Sequence, residues 1–314
     1  MIETVFCLMG PTASGKTDLA CQLVQRYPFE IVSVDSAMIY REMNIGTAKP
    51  TPEELWQTPH HLIDILDPVE AYSAARFCSD VDRLCRQIRA RNKYPLLVGG
   101  TMMYFKALQQ GLSHLPQADG LIRKQLIQQA STHGWNKLHQ QLAVVDPDSA
   151  SRIHPNDAQR IARALEVYYL TGTTLSGHLD QQKTGEKYSF INMVLFPAQR
   201  SWLHTRIGHR FANMLAGGLI EEVEVLINKW SMTTDMPALR CVGYRQVFDF
   251  LQGQFNVQTL KEKGTAATRQ LAKRQLTWLR HWPDAVYFDP QENDCATKMM
   301  EKLDKLLDNN LNST

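Results

Sequence analysis

Eight residues close to the amino terminus carry the clearest chemical signal in this chain. They fit the phosphate-binding pattern G-x-x-x-x-G-K-[ST] at every fixed position and run Gly10, Pro11, Thr12, Ala13, Ser14, Gly15, Lys16 and Thr17. The glycines let the backbone curl so that several N–H groups point at one anion, Lys16 adds positive charge, and the Thr17 hydroxyl suits Mg²⁺. The motif predicts a diphosphate site, but it leaves open whether the ligand is a nucleoside triphosphate or another diphosphate.

The segments around the motif predict the structure that such a loop requires. Residues 5–9 form an apolar run typical of a buried strand, and residues 18–24 follow as a helix. A second predicted strand, residues 30–34, ends at Asp35. Because ligands bind beyond the carboxyl ends of parallel strands, we expect Asp35 to lie in the same crevice as the P-loop. Three roles fit a carboxylate there: helix N-cap, water-bridged magnesium ligand, or general base.

A third buried strand, residues 95–101, ends in Gly99, Gly100 and Thr101. Many P-loop ATPases end such a strand in an acidic residue that holds magnesium, and this chain has none there. We interpret the two glycines as backbone that a substrate approaches closely, with Thr101 as a hydrogen-bond partner.

The pattern of elements predicts an α/β fold: a P-loop NTPase-like parallel sheet flanked by helices, with an all-helical insertion domain. Further strands are expected at 60–65, 190–196 and 285–288, and helices at 74–91, 122–133, 138–144, 156–172, 203–211 and 265–282. We place the first part of the core at 1–112, the helical insertion at 113–198, and the second part of the core at 199–314.

Composition is that of a soluble globular protein: 44% of the 314 residues are hydrophobic and 21% are charged. The sequence shows no transmembrane stretch and no signal peptide, so we expect a cytoplasmic protein. Its six cysteines show no spacing typical of zinc sites or disulfide frameworks.

Positive charge is concentrated in the carboxyl-terminal third. The segment from Arg200 to Trp282 contains twelve lysines and arginines but only six acidic residues, although the net charge of the whole chain is only +2. The basic residues fall into three groups: Arg206 with Arg210, the segment 240–245, and a helix face with Arg269, Lys273 and Arg280. This distribution fits a nucleic-acid partner, although a solvated helical surface can carry the same surplus.

Taken together, the motifs resemble the tRNA dimethylallyltransferase family, also called tRNA isopentenyltransferases. The resemblance rests on residues 10–17, 34–41 (VDSAMIYR), 45–50 (IGTAKP), 99–101, 157–160 (DAQR), 240–245 (RCVGYR) and 273–280 (KRQLTWLR). These motifs occur in family order over nearly the whole chain.

The resemblance implies transfer of a dimethylallyl group from dimethylallyl diphosphate to N6 of the adenosine next to the anticodon, position 37, in tRNAs that read codons starting with U. The P-loop would then hold the prenyl donor's diphosphate together with Mg²⁺, for which Thr17 is the expected protein ligand. Asp35 matches the family's general base, Thr101 a residue that helps seat donor and base, and Arg210 a residue that stabilises the leaving diphosphate.

The resemblance also implies an anticodon stem-loop as partner, with the target base flipped into a channel. The residues that match the family's tRNA contacts are Asp35, Ser36, Ala37, Met38, Thr101, Arg123, Gln159, Arg160, Ile161, Ala162, Arg163, Arg240, Cys241, Val242, Gly243, Tyr244, Arg245, Lys273, Arg274, Gln275, Leu276, Thr277, Trp278, Leu279 and Arg280. The helical insertion would clamp the tRNA stem, and we expect a monomer that does not bind membranes.

Three other functions are compatible with parts of the sequence. The P-loop alone fits an ATP-dependent small-molecule or nucleotide kinase, and it also fits an RNA-binding protein that uses ATP or another nucleotide as a switch. A prenyltransferase that acts on free adenine nucleotides would share the P-loop, but it would need neither the insertion nor the basic third.

Overall fold

A computed structural model describes residues 3–111, 115–116, 118–180, 187–234 and 236–311. The chain divides into two compact units, one formed by Met1–Gln109 with Glu186–Thr314 and the other by Gln110–Gly185. The predicted insertion, 113–198, extends past Gly185, where the second unit ends. It includes the strand Tyr188–Leu195, which pairs with the sheet of the first unit.

The first unit is built on a six-stranded sheet in which every strand pairing is parallel. Its strands are β1 (Glu3–Met9), β2 (Phe29–Val34), β3 (His60–His61), β4 (Tyr94–Gly99), β5 (Tyr188–Leu195) and β6 (Ala285–Phe288), in the spatial order β3-β2-β4-β1-β5-β6. Both faces of the central strands are buried, which explains their near-continuous apolar sequences. The predicted α/β class with a parallel sheet is confirmed.

Helices cover both faces of this sheet. In the first unit they are α1 (Lys16–Arg26), α2 (Pro52–Gln57), α3 (Ala74–Arg89) and α4 (Met102–Gln110), which reaches the boundary, then α10 (Arg200–Ala216), α11 (Leu219–Trp230), α12 (Tyr244–Leu251), α13 (Val257–Leu279) and α14 (Cys295–Leu311). The second unit holds α5 (Gly120–His133), α6 (Trp135–Val145), α7 (Pro147–Arg152), α8 (Ala158–Thr171) and α9 (Leu175–Asp180).

Two predicted elements differ from the structure for local reasons. The strand expected at 60–65 is only two residues long, because Leu62 and Asp64 adopt positive φ angles of 63° and 55° and take the backbone out of the extended conformation. The helix expected to begin at 265 begins at Val257, capped by the Asn256 side chain. Gly264 lies inside it, where an added Cβ would meet the ring of Phe211 at 2.0 Å.

The helical unit has its own hydrophobic core, which includes Leu126, Leu142, Ile161 and Leu165. On α8, Ile161 and Leu165 are buried, whereas Tyr169 is 43% exposed. Glu166 is fully buried on the same helix, a position that the apolar pattern did not reveal.

Among the residues that the structure describes, no helix combines the length and apolar character needed to cross a membrane. Within those same residues, no three His, Cys, Asp or Glu side chains lie close enough together to hold a metal ion by themselves.

Candidate active site

The candidate site lies where the carboxyl ends of three neighbouring strands meet. The register pairs Met9 at the end of β1 with Gly99 of β4, and Gly99 in turn with Val34 of β2. The chain leaves these strands into the P-loop, into Thr101 and into Asp35, respectively. The sheet topology therefore brings together the three motifs that the sequence marked as chemical.

The P-loop has the conformation that phosphate binding needs. Gly15 precedes α1 with a φ of 89°, and Ala13 also has a positive φ of 62°. Because the first N–H groups of a helix have no acceptor within it, the start of α1 offers backbone donors to an anion. The Lys16 Nζ donates to the Pro11 carbonyl at 2.7 Å, so its side chain is folded back over the loop.

Two positive side chains adjoin this loop. Burial and the neighbouring Arg210 lower the pKa of Lys16 to about 7, although Asp35 acts in the opposite direction. Burial also lowers the pKa of the Arg210 guanidinium, while Asp35 raises it. Arg210 donates from Nη2 to the Thr47 carbonyl at 3.2 Å, and both residues line the cavity in front of the P-loop. The arrangement favours a ligand that restores the missing negative charge.

The Asp35 carboxylate is held by the turn that follows β2. Its Oδ1 accepts from the backbone N–H groups of Ala37 at 2.8 Å and Met38 at 3.3 Å. Its Oδ2 accepts no hydrogen bond from the residues that the structure describes. One oxygen thus fixes the side chain and the other is available to take a proton, as a general base requires.

Thr101 joins the ends of β2 and β4. Its Oγ1 accepts from the Ser36 backbone N–H at 3.1 Å and donates to the Ser36 Oγ at 3.4 Å, while its own N–H donates to the Val34 carbonyl. Thr101 therefore fixes the turn that carries Asp35, and its expected role in seating the donor stays a prediction.

The two glycines before Thr101 lie where neighbouring protein atoms leave no room for a side chain. A Cβ on Gly99 would lie 2.0 Å from the Val34 carbonyl oxygen, and a Cβ on Gly100 would lie 2.4 Å from the Gln275 side-chain nitrogen. The protein itself therefore approaches this backbone closely, and both glycines also line the cavity, so the expected approach of a substrate stays a prediction.

The loop from Asn44 to Pro50 is anchored by a residue that the sequence did not single out. The Glu222 carboxylate accepts from three successive backbone N–H groups, those of Asn44, Ile45 and Gly46, at 2.9, 2.7 and 3.2 Å. It also accepts from the Tyr244 hydroxyl at 2.6 Å. This anchor holds the loop whose Thr47 carbonyl accepts from Arg210.

His60 also lines this cavity, but one of its ring nitrogens is enclosed by the protein. Its Nδ1 lies 2.7 Å from the Thr58 carbonyl and donates to it, so Nε2 is the unprotonated nitrogen. That Nε2 is buried and has no hydrogen-bond partner among the described residues. Burial lowers the pKa of His60, which keeps the ring neutral. The neighbouring His61 has a different partner, since its Nε2 lies 2.9 Å from Oε2 of Glu30.

These residues surround one cavity of about 590 Å³, a volume suited to a small-molecule or nucleobase-sized ligand. Lys16, Thr17, Asp35, Thr101 and Arg210 all line it. Among the described residues that line it, Asp35 is the only acidic one. Mg²⁺ commonly keeps several waters and binds through one or two protein oxygens together with substrate phosphates, so Thr17 and Asp35 fit such an ion only as part of a diphosphate complex.

The predicted RNA-contact segments of the first unit divide by helix periodicity. In 273–280 the exposed residues are Lys273, Arg274, Thr277, Trp278 and Arg280, whereas Gln275, Leu276 and Leu279 are buried. In 240–245, Arg240 is exposed, while Gly243 and Tyr244 are buried. The side chains of Tyr244, Leu276 and Leu279 pack inside the protein, whereas Gly243 and Gln275 also line the cavity.

In the helical unit, two of the predicted contact arginines are held by buried Glu166. Arg123 donates from Nε at 2.8 Å and Arg163 from Nη1 at 2.6 Å. These arginines keep the pKa of Glu166 below its ordinary value despite the opposing effect of its burial. Gln159 and Arg160 are exposed, Ala162 is half-buried, and Ile161 belongs to the core. Arg160 therefore remains the most accessible cation of this group.

Comparison with known proteins gives one consistent result. The family model described as IPP transferase matches residues 38–282. A tRNA dimethylallyltransferase of Legionella pneumophila (strain Corby) is 58% identical over 313 residues, covering 100% of both chains. One of Coxiella burnetii (strain Dugway 5J108-111) is 53% identical over 300 residues, covering 95% of this chain and 96% of the other.

Solved structures agree with this result. The full-length tRNA isopentenylpyrophosphate transferase of Bacillus halodurans superposes with a TM-score of 0.71 at 35% identity, covering 97% of this chain and 96% of the other. A eukaryotic dimethylallyltransferase, described as acting on tRNA, gives a TM-score of 0.81 at 25% identity over 98% of this chain and 80% of its own.

Proposed function

Because the chain belongs to the IPP transferase family, we propose that it transfers a dimethylallyl group from dimethylallyl diphosphate to N6 of the adenosine beside the anticodon, position 37, in tRNAs that read codons starting with U. The protein is a tRNA-modifying transferase, and a kinase function is not favoured. The observation that carries the proposal is that the P-loop, Arg210, Thr101 and Asp35 line one cavity.

The residues divide the reaction between them. The P-loop N–H groups, Lys16 and Arg210 bind the donor's diphosphate and stabilise it as it leaves. Asp35 takes a proton from the N6 amine while N6 forms a bond to C1 of the dimethylallyl group. The bond between C1 and the diphosphate oxygen breaks, and its electron pair leaves with the diphosphate. Mg²⁺, held by Thr17 and the donor's phosphates, would supply further positive charge to the leaving group.

The acceptor must reach this cavity as an unstacked base. A base within an anticodon loop must leave its stack before its exocyclic amine can meet the donor. Four exposed cations of the first unit offer phosphate contacts: Arg240, Lys273, Arg274 and Arg280. Trp278 offers a face on which a base can stack. In the helical unit, exposed Arg160 offers a further phosphate contact. We place the protein in the cytoplasm, since tRNA is its substrate. We also expect it to be a monomer.

The test is mass spectrometry of an unmodified tRNA after incubation with the protein, Mg²⁺ and dimethylallyl diphosphate, without ATP. We expect the tRNA to gain the mass of one dimethylallyl group, mapped to the adenosine beside the anticodon. Transfer should fall by about 10²–10⁴-fold in Asp35→Asn, which keeps the shape of the side chain but removes the base.

Arg26→Ala is the matched control, because Arg26 pairs with Asp304 on the surface and lies outside the cavity. Its transfer rate should equal that of the wild type. Absence of any mass gain, with phosphate release only after ATP is added, would contradict the proposal and support the kinase alternative.

A further inference from the structure

One side chain of α13 connects the helix to two loops of the cavity. Gln275 is only 8% exposed. Its Oε1 accepts from the Thr12 backbone N–H in the P-loop at 2.9 Å, and its Nε2 donates to the Gly100 carbonyl at 2.9 Å. A single amide therefore holds the loop expected to bind the diphosphate and the turn that leads to Thr101.

The amide packs closely against the Gly100 turn. A Cβ on Gly100 would lie 2.4 Å from the Gln275 nitrogen, so residue 100 has no room for a side chain. Leu276 and Ala272, on the same helix face, pack in one buried cluster with Ala13 of the P-loop. The inner face of α13 thus contacts the P-loop through both hydrogen bonding and apolar packing.

The outer face of the same helix is basic. Lys273, Arg274 and Arg280 are exposed, and they alternate in sequence with the buried residues because a helix places every third or fourth residue on one side. An RNA backbone bound to these cations would hold the helix from outside. It would thereby hold Gln275, and through Gln275 the P-loop and the Gly100 turn.

We propose that Gln275 is a positioning residue through which tRNA binding at the basic face of α13 strengthens donor binding in the P-loop. The inference rests on the proposed function for the identity of the two ligands. Fixing the helix restricts the P-loop before the donor arrives, so the donor has less motion to remove on binding. Because coupling between two binding sites is reciprocal, the donor must strengthen tRNA binding by the same factor.

The experiment measures the dissociation constant of a non-reactive thiolo analogue of dimethylallyl diphosphate, with and without a saturating anticodon stem-loop, by titration calorimetry. In the wild type we expect the stem-loop to tighten analogue binding by about 5-fold or more. In Gln275→Met, which keeps the side-chain length but removes both hydrogen bonds, we expect a factor below about 2.

Gln258→Ala is the control, because Gln258 is an exposed glutamine on the first turn of the same helix, and among the described residues its side chain bonds only to Glu262. It should keep the coupling of the wild type. Thermal unfolding checks that each variant is folded. If the Met variant is not, Gln275→Glu replaces it, since it keeps an acceptor for the Thr12 N–H and loses the donor to Gly100; reduced coupling is again expected.

The inference is overturned if the wild type shows no coupling, or if the folded substitution at 275 leaves the coupling unchanged. A merely structural role for Gln275 would weaken analogue binding equally with and without the stem-loop, which also overturns it. Failure of the wild type to bind either ligand is a separate result, and it contradicts the proposed function.

Discussion

At the scale of single residues, the site is short of negative charge. Burial lowers the pKa of both Lys16 and Arg210, and Arg210 lowers that of Lys16 further. Asp35 raises the pKa of both groups, and Asp18 also raises that of Arg210. A diphosphate supplies what is missing and shares the positive end of α1. The protonation of Lys16 should therefore depend on whether the donor is bound.

The first prediction concerns the pH dependence of donor binding. The pKa of Lys16 is about 7 in the empty site and should rise when a diphosphate binds, so binding must take up a proton above pH 7. We expect donor affinity to fall about 10-fold for each pH unit from 7.5 to 9.5. Lys16→Arg should show a nearly flat profile, because arginine stays charged throughout this range.

Titration calorimetry of the thiolo analogue at several pH values measures this dependence. Equal slopes for the wild type and Lys16→Arg would contradict it. The same shift affects stability: the folded form binds fewer protons than the unfolded chain between about 7 and the ordinary value of 10.5, so this group's contribution to the free energy of unfolding rises with pH across that window.

At the scale of elements, the sequence predicted those parts of the site whose signals are local. The P-loop, Asp35 and Thr101 could be recognised because each follows a strand directly, and the sheet brings the ends of parallel strands together. Glu222 could not be recognised, and Gln275 was predicted only as a tRNA contact and not as a link to the P-loop, because their partners lie 178 and 263 residues away. Nothing in the run Glu221, Glu222, Glu224 distinguishes the carboxylate that binds three backbone N–H groups.

The second prediction concerns this carboxylate. Glu222→Gln keeps one acceptor oxygen and replaces the other with an NH₂ group. It can therefore no longer accept both from Asn44 and Ile45, which share Oε2, and from Gly46, which uses Oε1. We expect a loss of about 1–3 kcal/mol in the free energy of unfolding and a several-fold higher KM for the donor, since the loop positions Arg210 through Thr47. Denaturant unfolding and steady-state kinetics measure the two effects.

Glu224→Gln, an exposed change on the same helix, serves as the control and should leave both quantities unchanged. Normal stability and normal donor KM in Glu222→Gln would show that the loop does not depend on its anchor.

At the scale of the whole molecule, the basic residues differ in what they are free to do. Arg123 and Arg163 are occupied by buried Glu166, so we expect their loss to lower the stability of the helical unit. Arg160 and Arg280 are exposed, and Arg160 pairs only at 3.4 Å with Asp157. Exposed cations of this kind bind RNA phosphates and release counterions.

The third prediction is that Arg280→Ala and Arg160→Ala each weaken binding of all tested tRNAs and reduce the slope of log affinity against log salt by about one. Filter binding or fluorescence anisotropy over a range of salt concentrations measures this slope. Arg26→Ala is the control, as a surface arginine paired with Asp304, and should leave the slope unaltered. A variant whose slope equals that of the wild type does not contact phosphate.

The order of strands in the sheet also determines when the fold can be completed during synthesis. β1 is made first, yet it pairs with β4 and with β5, which ends at Leu195. The helical unit, whose hydrophobic core is drawn from its own residues, is synthesised between them and can fold as soon as it leaves the ribosome. The edge of β1 that pairs with β5 therefore stays unpaired until the entire helical unit has been synthesised. During this long interval the nascent chain contains an apolar strand that lacks one of its two partners.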